Sequence, residues 1–439
     1  MLHVNTKDNE NRRRRRDRPL GLSNRKGTNL KVCPYSVVFG GDFQMKITDK
    51  AESGMERCVR CTLPITWETL YFDDEGVCNI CRNWDAKQKT VKWDEREKHL
   101  LKIFEDRKKE RASYDCIVPF SGGKDSTFTL WAIVRRYGLK PLVVSFDHGF
   151  YRPRTIENRT RTFRRLGVEV ITFTPNWHIV RKLMLEALIR KGDFCWHCHA
   201  GVFAFPMRIA VKFQIPLVIW GEGGGEYEGY FKFADLEETD EWKFNRRIIL
   251  GMRAEDMAGF IGEELRDLEP YIYPSKKELE QAGIKSLPLG KFIPWDVRKQ
   301  VEIIKRELDW QEDEIESGFP GPTYEKVECM FTGMRDYIKY LKRGFSRITH
   351  LTTLDIKHGR MSREDAMEYI EKYEKRKPKS LGVFLEYIGI NEQEFNEIVL
   401  KHVIPPAKSI DPVIIPEGPE LWDHNLWFRE TKQEMENKT

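Results

Sequence analysis

Six consecutive residues, Ser121-Gly122-Gly123-Lys124-Asp125-Ser126, combine the parts needed to hold a pyrophosphate. Two glycines let backbone approach a ligand closely, and a helix start offers unpaired N–H groups and the positive end of a dipole. Ser121 and Ser126 add hydroxyl donors, and Lys124 adds a mobile positive charge. The Walker A spacing is missing, as is the Rossmann fingerprint. The plain alternative, a Ser-Gly-Gly turn with an Asp near a helix start, is disfavoured by the strand–turn–helix context.

The cysteines are the second source of chemistry. Cys58-x2-Cys61 and Cys78-x2-Cys81, with 16 residues between the pairs, match a four-cysteine zinc ribbon, a closed tetrahedral site that is structural. Disulfides are the alternative, disfavoured for a chain expected in a reducing compartment. Cys195-Trp196-His197-Cys198-His199 packs two thiols and two imidazoles into five residues. It suits Zn²⁺ or part of an iron–sulfur site, with His197, His199 or Cys329 completing the ligands. A redox pair and a Cys-rich helix start remain open readings. Cys33 and Cys116 look incidental.

The elements that must position these residues alternate. Strands are expected at 114–120, 141–147, 168–173 and 216–221. Helices are expected at 125–137 and 155–166, from about Trp177, and over 201–213. This rhythm predicts an α/β fold, a parallel sheet with helices on both faces, with ligands at the carboxyl ends of the strands. Beyond Trp295 the pattern is mainly helical. Ser362 and Asp365 form a capping box for a helix over 363–375. From about Lys401 the chain is Pro-rich, although Trp422 and Trp427 suggest packing. The expected organisation is a disordered basic extension over 1–54, a zinc ribbon over 55–95, an α/β domain carrying the SGGKDS loop over 96–294 and a helical region over 295–439.

Composition bounds the classes. The 439 residues are 40% hydrophobic, which is globular, and carry a formal charge of +5. Residues 1–57 hold 13 Lys+Arg against 7 Asp+Glu, leaving 61 against 62 in the remainder. The basic excess therefore belongs to the segment around Arg12 to Arg16. It reads as a solvated tail before a polybasic address or RNA-binding arm. A start at Met55 is a further expectation. No apolar run approaches a membrane span and no secretory signal is recognisable, so a cytoplasmic location is expected.

The SGGKDS segment resembles the PP-loop of the ATP pyrophosphatase superfamily, with its adenine nucleotide alpha hydrolase-like fold. The resemblance implies cleavage of ATP to AMP and pyrophosphate with adenylation of a substrate oxygen. It places Ser121, Gly122, Gly123, Lys124, Asp125 and Ser126 on the nucleotide, with Lys124 and Asp125 catalytic. Asp147 would contact the nucleoside, and Gly221 would let backbone approach AMP. Glu222 or Glu226 would hold Mg²⁺ in a Gly-rich stretch whose plain alternative is a flexible loop.

Four blocks resemble the N-acetyl sugar amidotransferases of bacterial lipopolysaccharide and flagellin-glycan synthesis. They are Arg57–Asp85, SGGKDS, Ala204–Glu222 and Gly344–Tyr373. This implies conversion of the acetamido group of a nucleotide-linked N-acetyl sugar to an acetamidino group, using ATP and ammonia. No Gly-x-Cys-x-Gly elbow occurs and residue 2 is Leu, so a separate glutaminase subunit resembling that of the histidine pathway, with a cyclase-like subunit, is implied. The alternative is a PP-loop sulfur transferase, similar to tRNA thiolases, using Cys195, Cys198 and Cys329 for an iron–sulfur cluster. The near-neutral balance of residues 58–439 speaks against a tRNA partner. A non-enzymatic adaptor with a vestigial loop is the third class.

Overall fold

Four apolar runs in the middle of the chain each become a strand. β1 (Cys116–Pro119), β2 (Pro141–Phe146), β3 (Glu169–Phe173) and β4 (Leu217–Trp220) are joined by β5 (Lys285–Pro288) in the order β3-β2-β1-β4-β5. All pairings are parallel, with Ile117 of β1 between Leu142 of β2 and Val218 of β4. Side chains alternate across the sheet. Val118, Val143 and Ile219 enter one core, and Ile117, Leu142, Val144 and Val218 enter the other. Burial on both faces explains why β1, β2 and β4 read as continuous hydrophobic runs, whereas the edge strand β3 is partly exposed. The computed structural model describes residues 55–67, 70–110, 112–221, 244–316 and 323–405, all within one compact unit. The expectations for residues 1–54, Cys33, Glu222 to Glu226, Trp422 and Trp427 lie outside the described residues.

Helices cover both faces. α1 (Asn79–Thr90) and α2 (Trp93–Lys109) precede the sheet, and α3 (Lys124–Trp131) follows β1 directly. α4 (Pro153–Leu166) opens with Pro153 in its first turn and ends at Gly167, whose φ of 66° suits the left-handed cap. α5 (Trp177–Lys191) and α6 (Trp196–Phe213) lie between β3 and β4. α7 (Ala254–Ile261), α8 (Lys276–Gln281) and α9 (Val297–Leu308) complete the central part. α9 sends Val301, Ile304 and Leu308 into the core beneath Val118 and Ile219, so the helical region expected from 295 begins inside the α/β core. α10 (Thr332–Arg343), α11 (Arg347–Lys357), α12 (Arg363–Tyr373), α13 (Leu381–Ile388) and α14 (Glu392–Leu400) follow. Ser362 Oγ caps α12 by accepting from the Asp365 N–H at 3.0 Å, as its sequence suggests. Among the described residues no helix is long and apolar enough to cross a membrane.

Two expectations are corrected. The chain between 125 and 137 is α-helical only to Trp131 and continues as a π turn over Ala132–Arg136. The helix expected at 201 begins at Trp196, so the Cys195–His199 cluster forms its first turn. α6 reaches the sheet at Gly201, where an added Cβ would stand 2.2 Å from the Phe146 ring. Gly201→Val should therefore lower stability by about 1–3 kcal/mol through overpacking, measurable by thermal unfolding.

Candidate active site

The SGGKDS loop leaves the carboxyl end of β1 and enters α3, the sheet end where ligands of such folds bind. It is organised around one hydroxyl. Ser126 Oγ accepts from the backbone N–H groups of Ser121 and Gly122 at 3.3 and 3.2 Å and donates to the Gly123 carbonyl. Gly122 has φ of 94°, and a Cβ there would meet Arg159 and Thr155. A Cβ on Gly123 would meet the Glu328 carboxylate at 2.7 Å, and one on Gly221 would meet Thr129 at 2.9 Å. The loop is thus glycine-dependent on three sides.

Lys124 differs from its expectation. Its ammonium is buried and bonded to Asp125 Oδ2 at 2.8 Å and Glu325 Oε1 at 3.0 Å, so it is not a mobile charge. Glu325 lies far along the chain, which is why the sequence alone suggests a free lysine. Burial opposes ionisation of Asp125, but Lys124 and Lys326 outweigh it and hold the carboxyl below its usual range. Asp125 Oδ1 is buried without a hydrogen-bond partner. Asp147 Oδ1 accepts from the Gly149 N–H at 2.9 Å, and burial raises its pKa.

A cavity of about 690 Å³ unites much of this chemistry. Ser121, Gly123, Asp125, Ser126 and Gly221 line it, together with Cys195, Cys198, His199 and Cys329. Gly122, Lys124 and Asp147 do not. Cys329 arrives through a bridge to Tyr151 after β2, supported by the Met330 N–H donating to the Phe150 carbonyl at 2.9 Å. Burial raises all three thiols, Cys198 and Cys329 to about 12, and lowers His199 to about 3. These groups are therefore neutral near pH 7 when nothing binds them.

Cationic side chains gather on one wall of the cavity. Lys326, Arg335, Lys339, Lys342, Arg343 and Arg347 line it, against Asp125, Asp193 and Glu328. Lys339 Nζ lies 4.5 Å from the Trp67 ring centroid, and Lys342 Nζ donates to the Lys191 and Gly192 carbonyls at 2.8 and 3.0 Å. Sequence reasoning missed this wall. Arg335, Lys339 and Lys342 recur at helical spacing, which marks one face of α10, but their distance along the chain from the loop hides its destination.

The ribbon residues do come together. The thiol sulfurs of Cys58, Cys61, Cys78 and Cys81 lie within 4.8 Å of one another, and Cys61 Sγ stands 3.8 Å from Cys78 Sγ. Tetrahedral thiolates about 2.3 Å from zinc sit at about that separation, so the quartet fits and can coordinate a metal ion. Backbone N–H groups of Arg60 and Cys78 also donate to Cys58 Sγ, favouring a thiolate. Among the described residues no other group of three or more His, Cys, Asp or Glu is so gathered, so Cys195, Cys198, His197 and His199 form no ready single-ion site.

The ribbon also grips the cavity wall. Thr66 Oγ1 donates to the Arg343 carbonyl and Arg343 donates back to the Thr66 carbonyl, both at 2.6 Å. Trp67 stacks on Phe345 at 5.1 Å, and Arg363 donates to the Cys58 and Cys61 carbonyls.

Residues 322–408 match a family model described as "LPS biosynthesis protein WbpG-like, C-terminal domain". An uncharacterised protein of Methanocaldococcus jannaschii is 26% identical over 156 residues, 36% of this chain, and the match spans about half (54%) of that relative. The chain is similar at 13% identity to an NMN synthetase from Francisella tularensis, with a TM-score of 0.34, covering 65% of this chain and 93% of the other. It is similar at 12% identity to the U34-tRNA thiolase NcsA of Methanococcus maripaludis with its [4Fe-4S] cluster, with a TM-score of 0.27, covering 75% and 92%.

Proposed function

We propose that this protein is an ATP-dependent amidotransferase that turns the acetamido group of a nucleotide-linked N-acetyl sugar into an acetamidino group. One observation carries the reading. The segment matching the lipopolysaccharide-biosynthesis model supplies Lys326, Glu328, Cys329, Arg335, Lys339, Lys342, Arg343 and Arg347 to the cavity that the SGGKDS loop also lines. Cationic side chains in that space suit phosphorylated ligands. The product would enter a surface polysaccharide or a flagellin glycan of the pseudaminic or legionaminic acid type.

An amide carbon resists ammonia because its oxygen is a poor leaving group. Attack of the acetamido oxygen on the α-phosphorus forms an O–P bond, breaks the bond to the β-phosphate oxygen and releases pyrophosphate. Ammonia adds to the activated carbon, the C–O bond breaks, and AMP leaves with the original oxygen. The loop N–H groups and Ser126 would hold the pyrophosphate. Asp125 would help place Mg²⁺, which neutralises charge on the leaving phosphates when bound. Lys124 would act through Asp125, fixing the carboxylate that faces the cavity. Gly221 would admit AMP, and Asp147, at the end of β2, would contact the nucleoside from outside the cavity lining. Zn²⁺ would hold the ribbon. Ammonia would come from a separate glutaminase subunit, with a cyclase-like subunit as a further partner.

The test is a reaction with Mg·ATP, ammonium and candidate nucleotide-linked N-acetyl sugars. AMP, pyrophosphate and a sugar whose acetamido oxygen is replaced by nitrogen are expected together. AMP release with no nitrogen in any sugar would contradict the proposal. A sulfur-transferase reading is favoured by one observation, that Cys195, Cys198 and Cys329 line the same cavity. Anaerobic purification separates the two. Brown protein with labile sulfide supports sulfur transfer, and colourless protein carrying only zinc supports amidination.

A further inference from the structure

The lysine of the SGGKDS loop is committed to the fold. Its ammonium is bonded to Asp125 and Glu325, and it takes no part in the cavity lining. A phosphate chain on the loop would meet backbone N–H groups and hydroxyls there, but no ammonium from the loop itself. The segment that fixes Lys124 supplies another lysine. Residues 325–328 lie along the loop and meet it at three points. Glu325 Oε1 stands 3.0 Å from Lys124 Nζ. The Val327 carbonyl accepts from Thr155 Oγ1 at 2.7 Å, and Thr155 Cγ2 lies 2.9 Å from where Gly122 would carry a Cβ. The Glu328 carboxylate lies 2.7 Å from the same position on Gly123. Lys326 sits within this run, between the buried Glu325 and Val327. Its own side chain is 42% exposed and lines the cavity together with Ser121, Gly123 and Ser126.

The backbone at this residue is unusual. Lys326 has φ of 50°, in the left-handed region that residues other than glycine seldom occupy. Its carbonyl accepts from Thr332 Oγ1 at 3.0 Å, and its two neighbours are anchored as described. Strain of this kind persists where the surroundings fix it, and it gathers at functional sites. The ammonium, by contrast, is lightly held. Lys326 Nζ stands 3.9 Å from Glu328 Oε1, beyond hydrogen-bond reach. Glu328 Oε1 in turn lies 3.4 Å from the Cβ position of Gly123, so two short links join the ammonium to the loop. Lys326 also helps to keep the Asp125 carboxyl ionised. A part-exposed pair at that separation contributes little, which leaves the ammonium able to turn to a stronger anion.

We propose that Lys326 Nζ is the mobile ammonium of this site and pairs with the pyrophosphate portion of the nucleotide held at the Ser121–Ser126 loop. This rests on the nucleotide reading of the loop, and the experiment separates the two. Binding of Mg·ATP, AMP and inorganic pyrophosphate to the full chain is measured by calorimetry for wild type, Lys326→Met and Lys326→Arg. Lys326→Met should bind Mg·ATP and pyrophosphate about tenfold more weakly, the scale of losing one charge-assisted hydrogen bond. Lys326→Arg should stay near wild type, and AMP should bind all three proteins alike. Wild-type affinity for Mg·ATP in Lys326→Met, or a loss on AMP alone, overturns the assignment while leaving the loop's role intact. Absence of Mg·ATP binding by wild type overturns the loop's role and the assignment with it. Amine acylation of the wild-type protein, mapped by mass spectrometry, tests the contact without any variant. Lys326 should be acylated in the free protein and protected by Mg·ATP or pyrophosphate, whereas the buried Lys124 should stay unreactive throughout. Equal acylation of Lys326 with and without these ligands overturns the proposal.

Discussion

Asp125→Ala should reduce pyrophosphate release by at least about a hundredfold, the scale of losing a group that places charge-stabilising partners on a leaving phosphate. The effect is expected to be catalytic, since Lys124 keeps its 3.0 Å bond to Glu325 in the variant. Asp125→Asn distinguishes charge from shape. It keeps the volume and one acceptor oxygen but loses the anion, and it should be nearly as inactive. The pH dependence follows from the same geometry. Burial works against the Asp125 anion and Lys124 and Lys326 work for it, with a net pKa below the usual carboxylate range. A depressed pKa contributes stability that is present above the unfolded-state value and is lost as pH falls through the folded value. Activity should therefore not decline with acid in the usual carboxylate range on account of Asp125. A wild-type rate of pyrophosphate release in Asp125→Ala would remove the loop from the mechanism.

Cys58→Ser should cost several kcal/mol of folding stability, because metal affinity at a four-thiolate site is folding free energy. Purified wild-type protein should hold zinc at the ribbon, and the variant should not. The consequence should extend to the cavity. Trp67 lies under Lys339, and Thr66 and Arg343 exchange hydrogen bonds, so a melted ribbon releases part of the cationic wall. Mg·ATP-dependent activity should fall with the metal content when a chelator is titrated in. Metal analysis and thermal unfolding on the same samples check this. Unchanged stability in Cys58→Ser would show that the quartet holds no structural metal.

What was legible in the sequence was local. The β1–loop–α3 passage is readable because an apolar run, a Gly-rich turn and a helix start are contiguous. The ribbon is readable because its spacing fixes its chemistry. β5 was not, since Lys285–Pro288 has a charged residue, a serine and a proline around one leucine and becomes a strand only by lying along β4. Lys124 looked mobile because Glu325 approaches it only in the fold. Charge bookkeeping also averaged away the main feature of the cavity. The balance of 61 Lys+Arg against 62 Asp+Glu after residue 57 is correct, yet six cationic residues, Lys326 to Arg347, gather around one space.

The origin of the oxygen in AMP tests the central claim most directly. A nucleotide-linked N-acetyl sugar carrying a heavy oxygen isotope in its acetamido group is turned over with Mg·ATP and ammonium. Adenylation of that oxygen predicts that the label passes to the phosphate of AMP, one labelled oxygen for each acetamidino product. Unlabelled AMP, or cleavage to ADP and phosphate instead, would contradict it.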